Sequence, residues 1–151
     1  MAKKRKVAKK PVSRKVDPCG YKVESVTSLA LSLYCREEGA TDKEVIDRCT
    51  EWFASHGEPD RVGKSQRVFV LNPKSERDDR TLEGRGHVGY VDRGMKPCRY
   101  FAQLNLDAIS PFAIVPNYFP SVIRTTEGTI TKSDLAALLH ERAKEAKKAA
   151  A

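Results

Sequence analysis

The charges of this chain are sorted into blocks, and the first block is one that a packed core cannot use. Residues 1–16 hold eight cations (Lys3, Lys4, Arg5, Lys6, Lys9, Lys10, Arg14 and Lys15) and no acid. The formal net charge of all 151 residues is +8, so the remainder of the chain sums to zero. A Lys/Arg-rich stretch containing Pro11 and lacking apolar periodicity buries too little surface to offset the entropy of ordering. The sequence therefore predicts a disordered basic arm that neutralises phosphate with release of counterions.

The neutral remainder is itself divided. Residues 17–60 carry four basic and ten acidic groups, net −6, whereas residues 61–99 carry ten basic and five acidic, net +5. Residues 100–139 are nearly balanced and 140–151 end basic. A folded body built from the second and third blocks is expected to be electrostatically two-faced, with the acidic face turned from phosphate. Lys3 to Val7 reads KKRKV, which resembles a nuclear localisation signal. A solubilising or targeting role for the arm alone is the plainer alternative. The basic start is not followed by an apolar h-region, so no secretory signal is expected. Hydrophobic residues make up 40% without an 18-residue apolar run, and no membrane partner is expected.

Val26, Leu29, Ala30, Leu33 and Tyr34 recur at helical spacing within residues 24–38. Gly39 ends that helix, and Thr41 with Glu44 forms a T-x-x-E capping box for the next. Val45, Ile46, Cys49, Trp52 and Phe53 then give one apolar stripe, with Trp52 expected in the core. Arg67 to Leu71 reads as a strand or the end of a helix begun near Pro59. Asn72 and Pro73 are suited to N-cap and N1, so a polar helix is expected from Pro73 to about Glu83, with Gly84 or Gly86 beyond it. His87–Val91 and Cys98–Leu104 read as paired strands around Asp92-Arg93-Gly94. Pro111, Pro116 and Pro120 mark an extended segment over 105–120. A hairpin about Glu127-Gly128 follows, then a helix opened by Thr131 or Ser133 and striped by Leu135, Leu138 and Leu139.

Catalytic signatures are not found. His56, His87 and His140 lie far apart and outside any HExxH pattern. Gly84-Arg85-Gly86 precedes a strand, the wrong order for a phosphate-binding turn. Asp78 and Asp79 sit beside arginines and read as a solvated acidic pair. Cys19, Cys35, Cys49 and Cys98 form no CxxC and reduced thiols are expected, with Cys35 and Cys49 packed in the core on the apolar faces of their helices. No catalytic residue, cofactor or metal is assigned.

Two helices, a polar basic helix, then a hairpin with a basic loop is an order that resembles the winged helix-turn-helix family of DNA-binding domains. Gly39-Ala40-Thr41-Asp42-Lys43-Glu44-Val45 looks like the turn into the second helix. Ser75 to Val88 looks like a recognition helix running into the first wing strand, with Asp92 to Arg99 as the wing. Roughly twenty residues separate Trp52-Phe53 from Asn72, so the recognition helix is either that segment or one within 60–71.

The resemblance implies an α+β fold: a winged-helix-like helical core, a small antiparallel β-hairpin, the basic arm and a C-terminal helix. The divisions are 1–17 for the arm, 18–104 for the winged-helix-like domain and 105–151 for the Pro-containing segment and last helix. It implies binding of double-stranded DNA by the arm together with Lys74, Ser75, Arg77, Arg80 and Arg85 on the helix and Arg93, Lys96 and Arg99 on the wing. Phosphate contact is expected more than base readout, because Asp78 and Asp79 compete for Arg77 and Arg80. An intracellular protein is implied, in cytoplasm or nucleoid, or in the nucleus if KKRKV is read there. An RNA-associated protein of ribosomal style and a virion or assembly protein holding nucleic acid with its arm are the alternatives, and a homodimer is compatible with any of them.

Overall fold

In the computed structural model, residues 15–67, 70 and 82–150 are described. Three α-helices and two antiparallel hairpins make up the regular structure of these residues, a mixed α and β architecture. Helix α1 spans Val26–Tyr34, α2 Asp42–Ser55 and α3 Lys132–Ala150. Strands β1 (Val88–Asp92) and β2 (Arg99–Gln103) form one hairpin, and β3 (Val122–Thr125) and β4 (Gly128–Thr131) the other.

Helix α1 is buried on most of its surface: Ser28, Leu29, Ala30, Leu31, Ser32 and Tyr34 are all inside. The Ser25 side chain caps its start by accepting from the Ser28 N–H. Gly39 takes φ +65 to turn the chain, because a Cβ there would sit 2.6 Å from the Tyr100 carbonyl oxygen. The next helix begins with the capping box expected from T-x-x-E: Thr41 Oγ1 accepts from the Glu44 N–H at 3.1 Å and Glu44 Oε1 accepts from the Thr41 N–H at 2.9 Å. Val45, Cys49 and Phe53 make its buried row. Trp52 departs from expectation. It is only half-buried, since the row spaced by four residues points at the core and leaves position 52 on its margin. There the indole stacks on His56 with centroids 3.7 Å apart.

The first hairpin docks on the α1–α2 corner through reciprocal backbone bonds, Ala40 N–H to the Tyr100 carbonyl (3.0 Å) and Tyr100 N–H to the Ala40 carbonyl (2.8 Å). Tyr100, Phe101, Ala102 and Leu104 are buried, so β2 is covered on both faces. Gly89 gives β1 the same closeness, as a Cβ there would meet the Val70 carbonyl oxygen at 2.3 Å. The hairpins are joined where Leu104 bridges to Thr125 in parallel, and the Arg124 N–H reaches the Cys35 carbonyl at 2.9 Å. The segment between them packs Ile109, Ala113 and Phe119 inward and leaves Phe112 and Ile114 exposed. The second hairpin turns at Thr126-Glu127, and the Thr131 hydroxyl caps α3 by accepting from the Asp134 N–H. Leu135 and Leu139 bury its inner stripe.

The expected helix from Pro73 and most of the expected strand at 67–71 lie outside the described residues. At their edges, Val70 is 1% exposed and Leu82 0%, and Glu83–Arg85 forms a short 3-10 turn closed by Gly86 at φ +90. The arm's expected boundary at residue 17 shifts toward its start. Asp17 is 0% exposed, its N–H and the Tyr21 carbonyl bond at 2.8 Å, and the Val16 carbonyl accepts from Ile114 N–H. Residues 15–17 are thus built into the body.

Candidate nucleic-acid interface

Of the cations singled out from the sequence, Lys3, Lys4, Arg5, Lys6, Lys9, Lys10, Arg14, Lys74, Arg77 and Arg80 lie outside the described residues, as does Ser75. The other five fall into two groups. Lys15, Arg93 and Lys96 are exposed, whereas Arg85 and Arg99 are partly buried.

Arg93 and Lys96 stand on the loop between β1 and β2. The turn is formed locally, with the Gly94 N–H donating to Asp92 Oδ1 at 2.9 Å. Every residue from Asp92 to Pro97 is exposed, and neither cation has an ion pair among the described residues. The strands beneath are stiffened by Tyr90 and Phe101, a cross-strand pair stacked at 4.9 Å with an interplanar angle of 11°. The Arg124 guanidinium lies 4.8 Å over the Phe101 ring, and its Nη1 donates to the Glu37 carbonyl at 3.0 Å.

Arg99 pairs with Asp92 in the last strand pair beside that loop, and it is held by the protein. Its Nη1 donates to the Glu38 carbonyl at 3.1 Å and to Glu44 Oε1 at 3.3 Å. Arg36 reaches the same carboxylate, with Nη2 3.1 Å from Glu44 Oε2. Burial pushes the Glu44 carboxyl up, but the Thr41 N–H and the two guanidinium groups reverse this and leave it below its ordinary value. Arg85 is committed too. Its Nη1 donates to the Gly20 carbonyl, its guanidinium lies 4.1 Å over the Tyr21 ring, and its buried Nε makes no hydrogen bond. Burial, partly offset by that cation, pushes the Tyr21 hydroxyl to about 12. Both arginines that the sequence reading placed on the binding face are thus engaged by groups of the body itself. Both partners are distant in the chain, so local pattern carries no sign of them.

The three histidines stay apart. His87 is 3% exposed, its Nδ1 accepts from the Asn105 N–H at 3.0 Å, and its ring also bonds the Pro18 carbonyl. Burial first, then Arg85, pushes it down to about 4, so it is a neutral brace between segments. Among the described residues no three His, Cys, Asp or Glu side chains converge as a metal site. Cys19 and Cys35 adjoin in the core as free thiols, and the bond to Cys35 together with burial raises Cys19. Near them Asp17 Oδ1 accepts from the Tyr21 N–H at 2.9 Å and Oδ2 from the Ser28 hydroxyl, which in turn meets the Tyr118 hydroxyl at 2.7 Å. Burial raises Asp17 despite these bonds. This network anchors the point where the arm leaves the body.

Two features of this surface were not signalled by the sequence pattern. Lys22, Lys64, Lys147 and Lys148 are exposed without ion pairs among the described residues. Met95, between Arg93 and Lys96, is 42% exposed, and its signal was an unbranched apolar residue inside a loop of turn residues and cations. No described helix is long and apolar enough to cross a membrane. No protein-family model, curated protein or solved structure matches this chain.

Proposed function

We propose that the chain is a non-enzymatic, intracellular nucleic-acid-binding protein that holds double-stranded DNA with its basic arm and with a basic face on the body. The observation that carries the reading is the division of cations on the first hairpin. Arg93 and Lys96 are exposed on its loop with no ion pair among the described residues, within the block of net charge +5, while Arg99, in the strand pair beside that loop, is ion-paired with Glu44. A cation already matched by a carboxylate releases few counterions on meeting phosphate; an unmatched one contributes fully. The order α1, α2, then β1–β2 supports the winged-helix resemblance, with the tip as the wing. In this reading the recognition element falls in 60–83.

Gel shifts with duplex DNA, single-stranded DNA and structured RNA at two salt concentrations test the reading. It requires tightest binding to duplex with strong salt dependence. Preference for structured RNA favours the ribosomal-style alternative, and assembly without nucleic acid favours the structural one. A chain indifferent to all three probes at low salt overturns it.

A further inference from the structure

The hairpin tip carries a third exposed side chain that electrostatics alone does not explain. Met95 sits between Arg93-Gly94 and Lys96-Pro97, so a long, unbranched apolar chain stands at 42% exposure among cations with no ion pair among the described residues. Val62 is also flanked by cations, but there Arg61 is ion-paired with Glu58 and lies 3.9 Å over the Phe53 ring, and Phe112 has no cation beside it. Below the tip, β1 and β2 pair through five positions from Val88↔Gln103 to Asp92↔Arg99. The Tyr90–Phe101 stack and Arg124 brace that ladder, and Ala40 clamps Tyr100 close beneath the loop.

Resting on the nucleic-acid reading above, we infer that this tip is a wedge for the minor groove of duplex DNA: Met95 enters between base pairs while Arg93 and Lys96 hold the flanking phosphates. Three physical requirements are met. The groove is about 6 Å wide, and the tip of a slender hairpin can enter it. Unstacking a base step costs a few kcal/mol, which an apolar side chain driven in from a rigid support offsets by burying its own surface. Negative potential concentrates where the minor groove is narrow over A·T pairs, and this draws Arg93 to that groove. The flexible, supple thioether fits a kinked step without a fixed rotamer. The preferred target is therefore a pyrimidine–purine step within A·T-rich duplex, the sequence most easily opened.

The test uses the full chain and a duplex of about 20 base pairs. It carries a fluorescent adenine analogue at a central TA step and donor and acceptor dyes at its ends. Anisotropy reports binding, the analogue reports unstacking, and energy transfer reports bending. Wild type should raise the analogue's emission severalfold and bring the ends together. Met95→Ala should lose both signals while affinity falls by less than about tenfold, and Met95→Leu should keep them. Arg93→Ala should weaken binding without abolishing unstacking at saturation. All three lie on an exposed loop, and unchanged thermal melting by circular dichroism verifies the fold. Equal unstacking and bending by Met95→Ala and wild type overturns the wedge and leaves duplex binding standing. Failure of wild type to bind the duplex, or binding to RNA alone, overturns both.

Discussion

Arg99 and Arg93 belong to one hairpin, yet they have opposite fates. In the strand beside the loop, Arg99 shares the Glu44 carboxylate with Arg36, and the neighbouring Tyr100 exchanges backbone hydrogen bonds with Ala40. At the tip, Arg93 and Lys96 have no carboxylate among the described residues. The difference teaches that a basic count in a sequence mixes two populations. One is consumed in holding the fold, and only the other is available to a phosphate.

The largest effect should come from breaking the clamp between Ala40 and Tyr100. Gly39→Ala places a Cβ 2.6 Å from the Tyr100 carbonyl oxygen and 2.7 Å from the Phe101 ring, at φ +65. Strain and displacement together should remove about 3–4 kcal/mol of stability, measured by denaturant unfolding. An unchanged midpoint would mean that the corner does not hold the hairpin.

Acid should loosen the opposite end of the hairpin, where Val88 pairs with Gln103. His87 precedes β1, and its value drops from 6.5 to about 4 on folding. A depressed value means that the contribution is complete above about 6.5 and is lost as pH falls through about 4. The full loss is roughly 3 kcal/mol, the shift converted at 1.36 kcal/mol per unit. Asp17 acts the other way, since its value is raised and protonation relieves its burial. Comparing wild type with His87→Gln isolates the histidine: the variant should lack the decline between these pH values. Identical acid profiles would remove His87 as the brace.

Trp52→Ala sharpens the contrast from outside the hairpin. A half-buried indole on His56 should cost about 1–2 kcal/mol, less than the 3–5 typical of a fully buried ring. Phe53→Ala, on the buried row, should cost more than Trp52→Ala. A reversed order would put the tryptophan in the core after all.

Smaller still, Arg99→Ala should lower stability by about 1 kcal/mol and leave affinity for duplex DNA within twofold. A tenfold loss of affinity without destabilisation would return Arg99 to the binding face.

What the sequence made legible follows range. The capping box at Thr41 and Glu44, both hairpins and the start of α3 at Thr131 depend on residues a few positions apart, and each was readable. The commitment of Arg99 to Glu44 spans 55 residues, and that of Arg85 to Gly20 spans 65, so neither left a local trace. Trp52 was misread because an apolar stripe two residues wide does not say which edge meets the core. Asp17, beside a proline in a turn-like stretch, looked like a boundary; its burial depends on Ser28 and on a loop ending at Tyr118. The site was legible as a charged region, but which cations are free depended on contacts made only in the fold.

The slope of log affinity against log salt tests the central claim most directly, because each cation engaged with phosphate contributes about 0.9 to it. With the full chain and one duplex, Arg93→Ala combined with Lys96→Ala should reduce the slope by about 2, while Arg85→Ala combined with Arg99→Ala should leave it unchanged. Equal reductions by both pairs, or a reduction by the second pair alone, would contradict the division between cations held by the body and cations free on the hairpin loop.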